Sequence, residues 1–446
     1  MRATQISGAK KLSSLISALL CLTLSSAVSA ETNQSFIEEA TSATVLIKTH
    51  LKHGFIDDDE ATDRWRGTGF LIDKAEGLII TNAHVAGFGV STLRLQFENQ
   101  NKFIEGKKVF LDGKHDVAII QVDPSAIPSA TKELTFDCDY SLQRGNRVFS
   151  LGHPEGQDFT LSFGVLSGSK DFHVDGNFYT TDLVTEPGSS GGPVLLADTG
   201  AVIGITTAGF DDSDIGFITR ASDICPIIDL IKAGKSPSRP IFGFQTMIVD
   251  KKLSPRIGAI FDNNLPLQLG DEILSWNGNL WSPEAHGDLP DAMRGYQQDS
   301  VQLAMIRSGE ETLVNIPVQA GKSAHLKDWV YFSGLTVTED NKADARYFMG
   351  NTTKPLLNIE SIDTDFNDTE DVEFYSGVDI FSVGDVAGMD LKTLYQFLSD
   401  WPADTKIEIV ARVFDWTPES YSHLMTHRFS IKDLDCSWCA QSDKPE

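Results

Sequence analysis

The chain predicts an all-β domain, a sandwich or a barrel, over residues 67–235, followed by two smaller modules that mix strands with a helix. Three observations predict this. First, "GTGFLID", "GLIITNAHV", "LRLQFE", "KKVFL", "DVAIIQV", "RVFSLG", "LSFGVLSG", "GNFYTTDLV", "GPVLL", "AVIGITT" and "IGFITR" are short apolar runs divided by turn residues, with no long helical pattern among them. Second, "SDICPIIDLIKAG", 222–234, reads as an amphipathic helix stopped by Gly234, and "KSPSRP", 235–240, has linker composition. Third, the stretch beyond it carries one order of elements twice. Residues 241–319 give strands around a helix near 283–295, and residues 330–432 repeat that order through "PLLNIESID", "VDIFSVGDVAG", "LKTLYQFLSD" and "TKIEIVARVF".

At 446 residues the chain is too long for one core. The expected divisions are 1–30, 31–235, 241–322, 328–434 and a tail, 435–446. Residues 1–30 read as a signal peptide: Arg2, Lys10 and Lys11 precede an apolar stretch ending in small residues, with Val28 and Ala30 at the cleavage positions. No later stretch is long and apolar enough to span a bilayer, so no integral membrane segment is expected. Leu20 before Cys21 argues against a lipid anchor. The formal net charge of −26 becomes −29 without the leader, a balance that repels nucleic acid and anionic membranes. "FIEEATSATVLIKT", 36–49, reads as a short helix running into a strand, and a charged loop follows it.

Export leaves Cys138, Cys225, Cys436 and Cys439 in an oxidising compartment. "CSWC", 436–439, reads as a local disulfide pinning the terminus, since a zinc site would need two more ligands. No metal and no organic cofactor are expected.

Hydrolysis by serine needs a hydroxyl, a base and a carboxylate that orients the base. "IITNAHVAG" places His84 just past an apolar strand, and "GKHDVAIIQV" places Asp116 directly before another. In "TEPGSSGGPV", 185–194, small residues around Ser189 and Ser190 let a carbonyl approach, and successive N–H groups can converge on one oxyanion. A Gly/Ser-rich run alone is a turn or linker. The order His, Asp, Ser across one β-rich region makes it a catalytic turn.

These segments together resemble the HtrA/Deg family of trypsin-like serine proteases over roughly residues 36–230. The resemblance implies a chymotrypsin-like pair of six-stranded β-barrels with the active site between them. It implies Ser190 as nucleophile, His84 as general base, Asp116 as its orienter, and an oxyanion hole at Gly188, Ser189 and Ser190. Ser189 stands where the family usually has Asn or Asp, and Pro193 where many members have Ala. Neither change touches the proton path. Val184 occupies the position where a basic-residue pocket would carry an acid, which excludes cleavage after Lys or Arg. Aligned pocket positions are Thr185 and Gly209, and Thr206, Thr207 and Ala208 form the strand expected to pair with substrate backbone. Gly209 implies a roomier pocket for medium or large apolar side chains.

The two C-terminal modules resemble PDZ domains, so the whole chain reads as a chymotrypsin-like all-β protease domain followed by two PDZ-like α+β modules. Phe242, Gly243 and Phe244, and in the second module Ser333, Gly334 and Leu335, match the strand that receives a peptide's terminal carboxylate. The resemblance implies an ATP-independent endopeptidase of the periplasm, or else secreted, acting on unfolded or misfolded envelope proteins. It also implies C-terminal peptides as ligands of the PDZ grooves and a homo-oligomer built on trimers. Two rival readings are a peptide-sensing regulatory protease with one target, and a non-proteolytic chaperone or scaffold.

Overall fold

The computed structural model describes residues 34–51, 64–87, 91–154, 157, 159–172, 176–209, 215–247, 254–260, 262, 264–281, 288–321, 323, 328–339, 357–362, 378–402, 405–414 and 422–436. Residues 1–30, expected as a signal peptide, and the end of the chain with Cys439 lie outside these.

A helix over 34–43 leads into six strands: β1 (Thr44–Leu51), β2 (Arg64–Asp73), β3 (Leu78–Thr81), β4 (Ser91–Phe97), β5 (Ile104–Asp112) and β6 (Val117–Gln121). They close into an antiparallel barrel in the order β1-β2-β3-β6-β5-β4. Side-chain alternation decides what points inward. Along β4, Leu93, Leu95 and Phe97 are buried, while Arg94 is exposed opposite Lys48 of β1. Both cations lie over the Phe103 ring.

The second barrel consists of β7 (Arg147–Gly152), β8 (Thr160–Phe172), β9 (Gly176–Thr181), β10 (Pro193–Leu196), β11 (Val202–Gly209) and β12 (Gly216–Arg220), closed in the order β10-β11-β12-β9-β8-β7. Of the two architectures open to the sequence, closed barrels are found. Closure leaves neither barrel a full-length free edge. One apolar core fills the first barrel and runs into the second through Phe149, Leu151, Leu195 and Ile205, joined by Ile224 and Ile227 of the helix Ala221–Lys232. That helix is also held covalently, because Cys225 is bonded to Cys138 with the Cα atoms 5.9 Å apart. The sequence carries both cysteines but nothing in their spacing pairs them.

The next sheet contains β13 (Phe244–Met247), β14 (Arg256–Ile260), β15 (Glu272–Trp276), β16 (Asn279–Leu280), β17 (Ser300–Arg307) and β18 (Glu310–Pro317), ordered β13-β14-β15-β17-β18 with β16 against β15. Of the helix expected near 283–295, Leu289–Ala292 is helical, with Asp288 capping its first turn; residues 283–287 lie outside the described ones. The last sheet contains β19 (Trp329–Phe332), β20 (Leu335–Glu339), β21 (Leu357–Ile362), β22 (Val378–Val383), β23 (Val386–Ala387), β24 (Lys406–Phe414), β25 (Ser422–Ser430) and β26 (Asp435–Cys436). Its order is β25-β24-β22-β21-β20-β19-β26, with β23 against β22 and the helix Leu391–Ser399 packed on the sheet's apolar side.

Aligned by order, β20-β21-β22-β24-β25 repeats β13-β14-β15-β17-β18. The second copy adds β19 and β26 on the flank that β13 leaves open. Cys436 is therefore a buried member of this sheet and is itself disulfide-bonded, so the tail begins later than residue 435.

Candidate active site

His84 sits in a single helical turn, Ala83–Ala86, directly after β3. Its neighbours fix that turn: Trp65 Nε1 and Thr49 Oγ1 both donate to the Val85 carbonyl, at 2.9 and 2.6 Å. Asp116 closes the turn between β5 and β6 with φ +52°, a left-handed conformation that Asp tolerates better than most residues. One carboxylate then engages His84 twice. Oδ1 accepts the His84 N–H at 2.9 Å and Oδ2 lies 2.6 Å from Nδ1. This holds the ring by Nδ1 and turns Nε2 away from Asp116, the arrangement a general base requires. Asn82 Nδ2 donates to the Asp116 carbonyl at 2.8 Å and reaches Thr207 Oγ1 at 3.3 Å.

The imidazole keeps 46% of its side-chain surface exposed. Burial of the rest pulls its pKa down, and the Asp116 carboxylate more than offsets this through charge and hydrogen bond, leaving the value raised above 6.5.

The Ser190 turn is built from close backbone contacts that only glycine permits. Gly188 has φ +102°, and a Cβ there would lie 2.2 Å from the His153 carbonyl oxygen. Gly191 has φ +85°, and its Cβ would lie 2.0 Å from the Thr68 carbonyl oxygen. Thr68, from the other barrel, clamps the turn: its N–H donates to the Ser190 carbonyl at 2.8 Å and its Oγ1 to the Gly188 carbonyl at 2.7 Å. The same Oγ1 lies 3.0 Å from His153 Nδ1. Ser189 is buried and its N–H is spent on the Glu186 carbonyl at 2.9 Å. Among the described residues the Gly188 and Ser190 N–H groups have no acceptor in the protein, so both are available to an oxyanion. Ser190 Oγ donates to the Thr207 carbonyl at 3.1 Å, and among the described residues no hydrogen bond joins it to His84.

The substrate-strand residues divide. Thr206 is buried, and its N–H and carbonyl are bonded to Gly192 and Gly191 of the nucleophile turn, so it has no main-chain group left for a substrate. β10 pairs β11 only as far as Ile205, and β12 pairs its other side out to Gly209. Thr207, Ala208 and Gly209 thus lie on a half-strand that, among the described residues, pairs on one side; the side chain of Ala208 lies outside the described set. Val184 is 49% exposed beside the turn, while Thr185 leans on β12, its Cγ2 2.4 Å from where a Gly216 Cβ would be.

The carboxylate-loop residues divide too. Phe242 and Gly243 lead into β13, which among the described residues pairs on one side only, with Phe244 buried and its ring 5.1 Å from Phe242. Ser333 and Gly334 instead form the two-residue turn of the β19–β20 hairpin, at φ +52° and +85°. The Ser333 N–H is bonded to the Lys432 carbonyl at 2.7 Å, and Leu335 pairs with Phe332 on one side and Ile362 on the other. The expectation that 333–335 receives a peptide is corrected: the chain's own β19 fills that place.

Thr68, Asn82 and His153 went unassigned in the sequence. Each is buried and polar within or beside an apolar run, and that mismatch was the available signal.

Two closed antiparallel barrels with a His–Asp pair facing a glycine-bounded serine define the trypsin-like protease class. The Trypsin-like peptidase domain family matches residues 67–205. Protease Do-like 1, chloroplastic, of Arabidopsis thaliana is 36% identical over 191 residues, covering 40% of this chain and 42% of that protein. A probable periplasmic serine endoprotease DegP-like of Chlamydia muridarum is 29% identical over 302 residues, covering 61% of this chain and 59% of that one. The solved structure of the HtrA-type protease AlgW with decapeptide shares the fold with a TM-score of 0.51 at 18% identity, over 65% of this chain and 99% of that one. Residues 67–205 thus match a trypsin-like peptidase domain, and the chain is similar to proteases named as HtrA, Do-like and DegP-like. It spans about half the length of the curated relatives it matches.

Proposed function

We propose that the chain is an exported, ATP-independent serine endopeptidase that degrades unfolded or misfolded envelope proteins in the periplasm. The observation that carries this reading is the His84–Asp116 pair at 2.6 Å, across from a Ser190 turn with two unengaged N–H groups. Ser190 Oγ, released from Thr207, passes its proton to His84 Nε2 as it attacks the scissile carbonyl. The oxyanion gathers at the Gly188 and Ser190 N–H groups, and Asp116 stabilises the imidazolium. The leaving amine takes the proton from His84, and water then hydrolyses the acyl-enzyme by the same path.

Substrate backbone pairs with Thr207–Gly209. Val184 and Thr185 select apolar side chains at the cleaved position, and the open flank of β13 accepts the C-termini of clients. Homologues named as periplasmic endoproteases support the compartment. The chain assembles as a homo-oligomer built on trimers.

Casein hydrolysis by wild type and Ser190→Ala tests the activity. A fall of about 10⁶ in kcat is expected, and equal, negligible rates in both proteins would leave the scaffold reading standing instead. Profiling of cleavage sites in an unfolded protein tests specificity; a strict preference for Ala or Val would overturn the roomy pocket.

A further inference from the structure

The turn that presents Asp116 is held from outside the protease domain. Asp112, at the end of β5, accepts the Lys114 and His115 N–H groups on Oδ1, at 3.0 and 3.1 Å, which folds the turn back on itself. Its Oδ2 forms an ion pair with Arg294 Nη1 at 2.5 Å. Arg294 belongs to the module beginning at residue 241, just after its short helix. The Arg294 side chain is 4% exposed, and it also reaches His115 Nδ1 at 3.2 Å, the Asp291 carboxylate at 3.0 Å and the Pro237 carbonyl at 2.9 Å.

Around this centre Lys114 pairs with Asp288 and Asp291, and Arg239 pairs with the same two carboxylates. Asp112, Asp288 and Asp291 thus balance Lys114, Arg239 and Arg294, which is what allows such a cluster to be buried. From His115 the contacts continue to the nucleophile. The His115 carbonyl accepts from Thr219 Oγ1 at 3.3 Å, Thr219 Oγ1 lies 2.6 Å from Thr207 Oγ1, and the Thr207 carbonyl holds Ser190 Oγ.

We infer that Arg294 is a positioning residue for the catalytic carboxylate: by neutralising and fixing Asp112, it sets the left-handed turn that aims Asp116 at His84. The inference rests on the protease reading above. Its consequence is that the 241–321 module completes the geometry of the site as well as offering a peptide groove.

The test uses the full mature chain with Arg294→Met, Arg294→Lys and Lys114→Met. Lys114→Met removes ion pairs to Asp288 and Asp291 while leaving Asp112 bonded to Arg294, so it reports what weakened docking alone does. Thermal unfolding, kcat and KM on an unfolded substrate, and the His84 titration by imidazole NMR are read for each. Expected for Arg294→Met is a kcat lower by about 10- to 100-fold with little change in KM, as for a misplaced catalytic group. The His84 pKa should fall with it, and Arg294→Lys should restore part of both. Lys114→Met should lower the melting temperature and leave the His84 titration in place. A folded Arg294→Met with kcat within twofold of wild type and an unmoved His84 titration would overturn the inference. If Arg294→Met does not fold, Arg294→Gln is read in its place, and an unmoved His84 titration with kcat within twofold of wild type there would overturn the inference equally. Should wild type hydrolyse nothing, the protease reading fails by itself, while the His84 titration still decides the role of Arg294.

Discussion

Thr68 shows how much one buried hydroxyl carries. Standing in the first barrel, it holds two carbonyls of a turn in the second, so the cleft is set by hydrogen bonds that cross it. Thr68→Val keeps the shape and removes the donor, leaving the Gly188 carbonyl short of a partner at about 1–3 kcal/mol. Because about 1.4 kcal/mol is tenfold in rate, kcat should fall by about ten- to a hundredfold while the protein stays folded, which steady-state kinetics beside circular dichroism would show. A second expectation concerns pH. Asp116 raises the His84 pKa above 6.5, and His84 must be neutral to act as base. Activity should therefore be lost as pH falls through a value above 6.5. Asp116→Asn removes the charge and leaves burial unopposed, so the acid limb should move down while kcat drops by about 10⁴. Matched pH–rate profiles check both. Ser190, His84 and Asp116 could be proposed from sequence because His84 and Asp116 are reactive residues at strand ends and Ser190 lies in a glycine-bounded turn. Thr68 was not, since a threonine in an apolar strand is an ordinary β residue until its partners, 120 positions away, are known.

Among the elements, the helix Ala221–Lys232 is tied to the barrel by both packing and the Cys138–Cys225 bond. The two cysteines are 87 positions apart, and closing a loop of that length is worth about 4–5 kcal/mol in the chain-entropy account. Calorimetry with and without reductant should therefore show a markedly lower melting temperature for the reduced protein, and Cys138→Ser should reproduce it without reductant. Strands were readable where burial alternates or where runs are wholly apolar. Barrel closure is not a local property and was legible only through the resemblance; which cysteines meet is not local either, and that pairing escaped. The last module shows the limit most plainly. "SGLTVT" has the composition of a carboxylate loop, yet the preceding "WVYF" is itself a strand, and pairing with it turns Ser333 and Gly334 into a hairpin turn.

For the molecule as a whole, the charge cluster at the junction makes stability depend on pH in a defined way. Burial alone would raise the Asp112 carboxyl, but Arg294, His115 and Arg239 outweigh it and hold it well below the ordinary range, and Asp291 is likewise lowered against its burial by Arg239, His115, Lys114 and Arg294. His115 moves the other way: its burial is outweighed by Asp291, Asp112 and Asp223, with Arg294 also facing the ring, and its pKa is raised. The two aspartates contribute stability that is present above about pH 4 and lost as pH falls through their depressed values. His115 contributes stability that is present below about pH 6.5 and lost as pH rises through its raised value. The junction should be firmest between about pH 4 and 6.5, and His115→Gln should flatten the alkaline side. Limited proteolysis between residues 235 and 240 across pH would show it, and equal cleavage at pH 6 and pH 9 would refute it.

The bond from Ser190 Oγ to the Thr207 carbonyl also bears on how the protein is labelled chemically. A small sulfonyl fluoride meets a hydroxyl already engaged and waits for its rotation between staggered wells. On the proposed substrate strand, a peptidyl phosphonate would bring its own strand to Thr207–Gly209 and draw the hydroxyl round toward His84. The ratio of the two labelling rates should accordingly be larger here than in a protease whose serine already rests on its histidine. For inhibitor chemistry, reach along β11 will count for more than warhead reactivity.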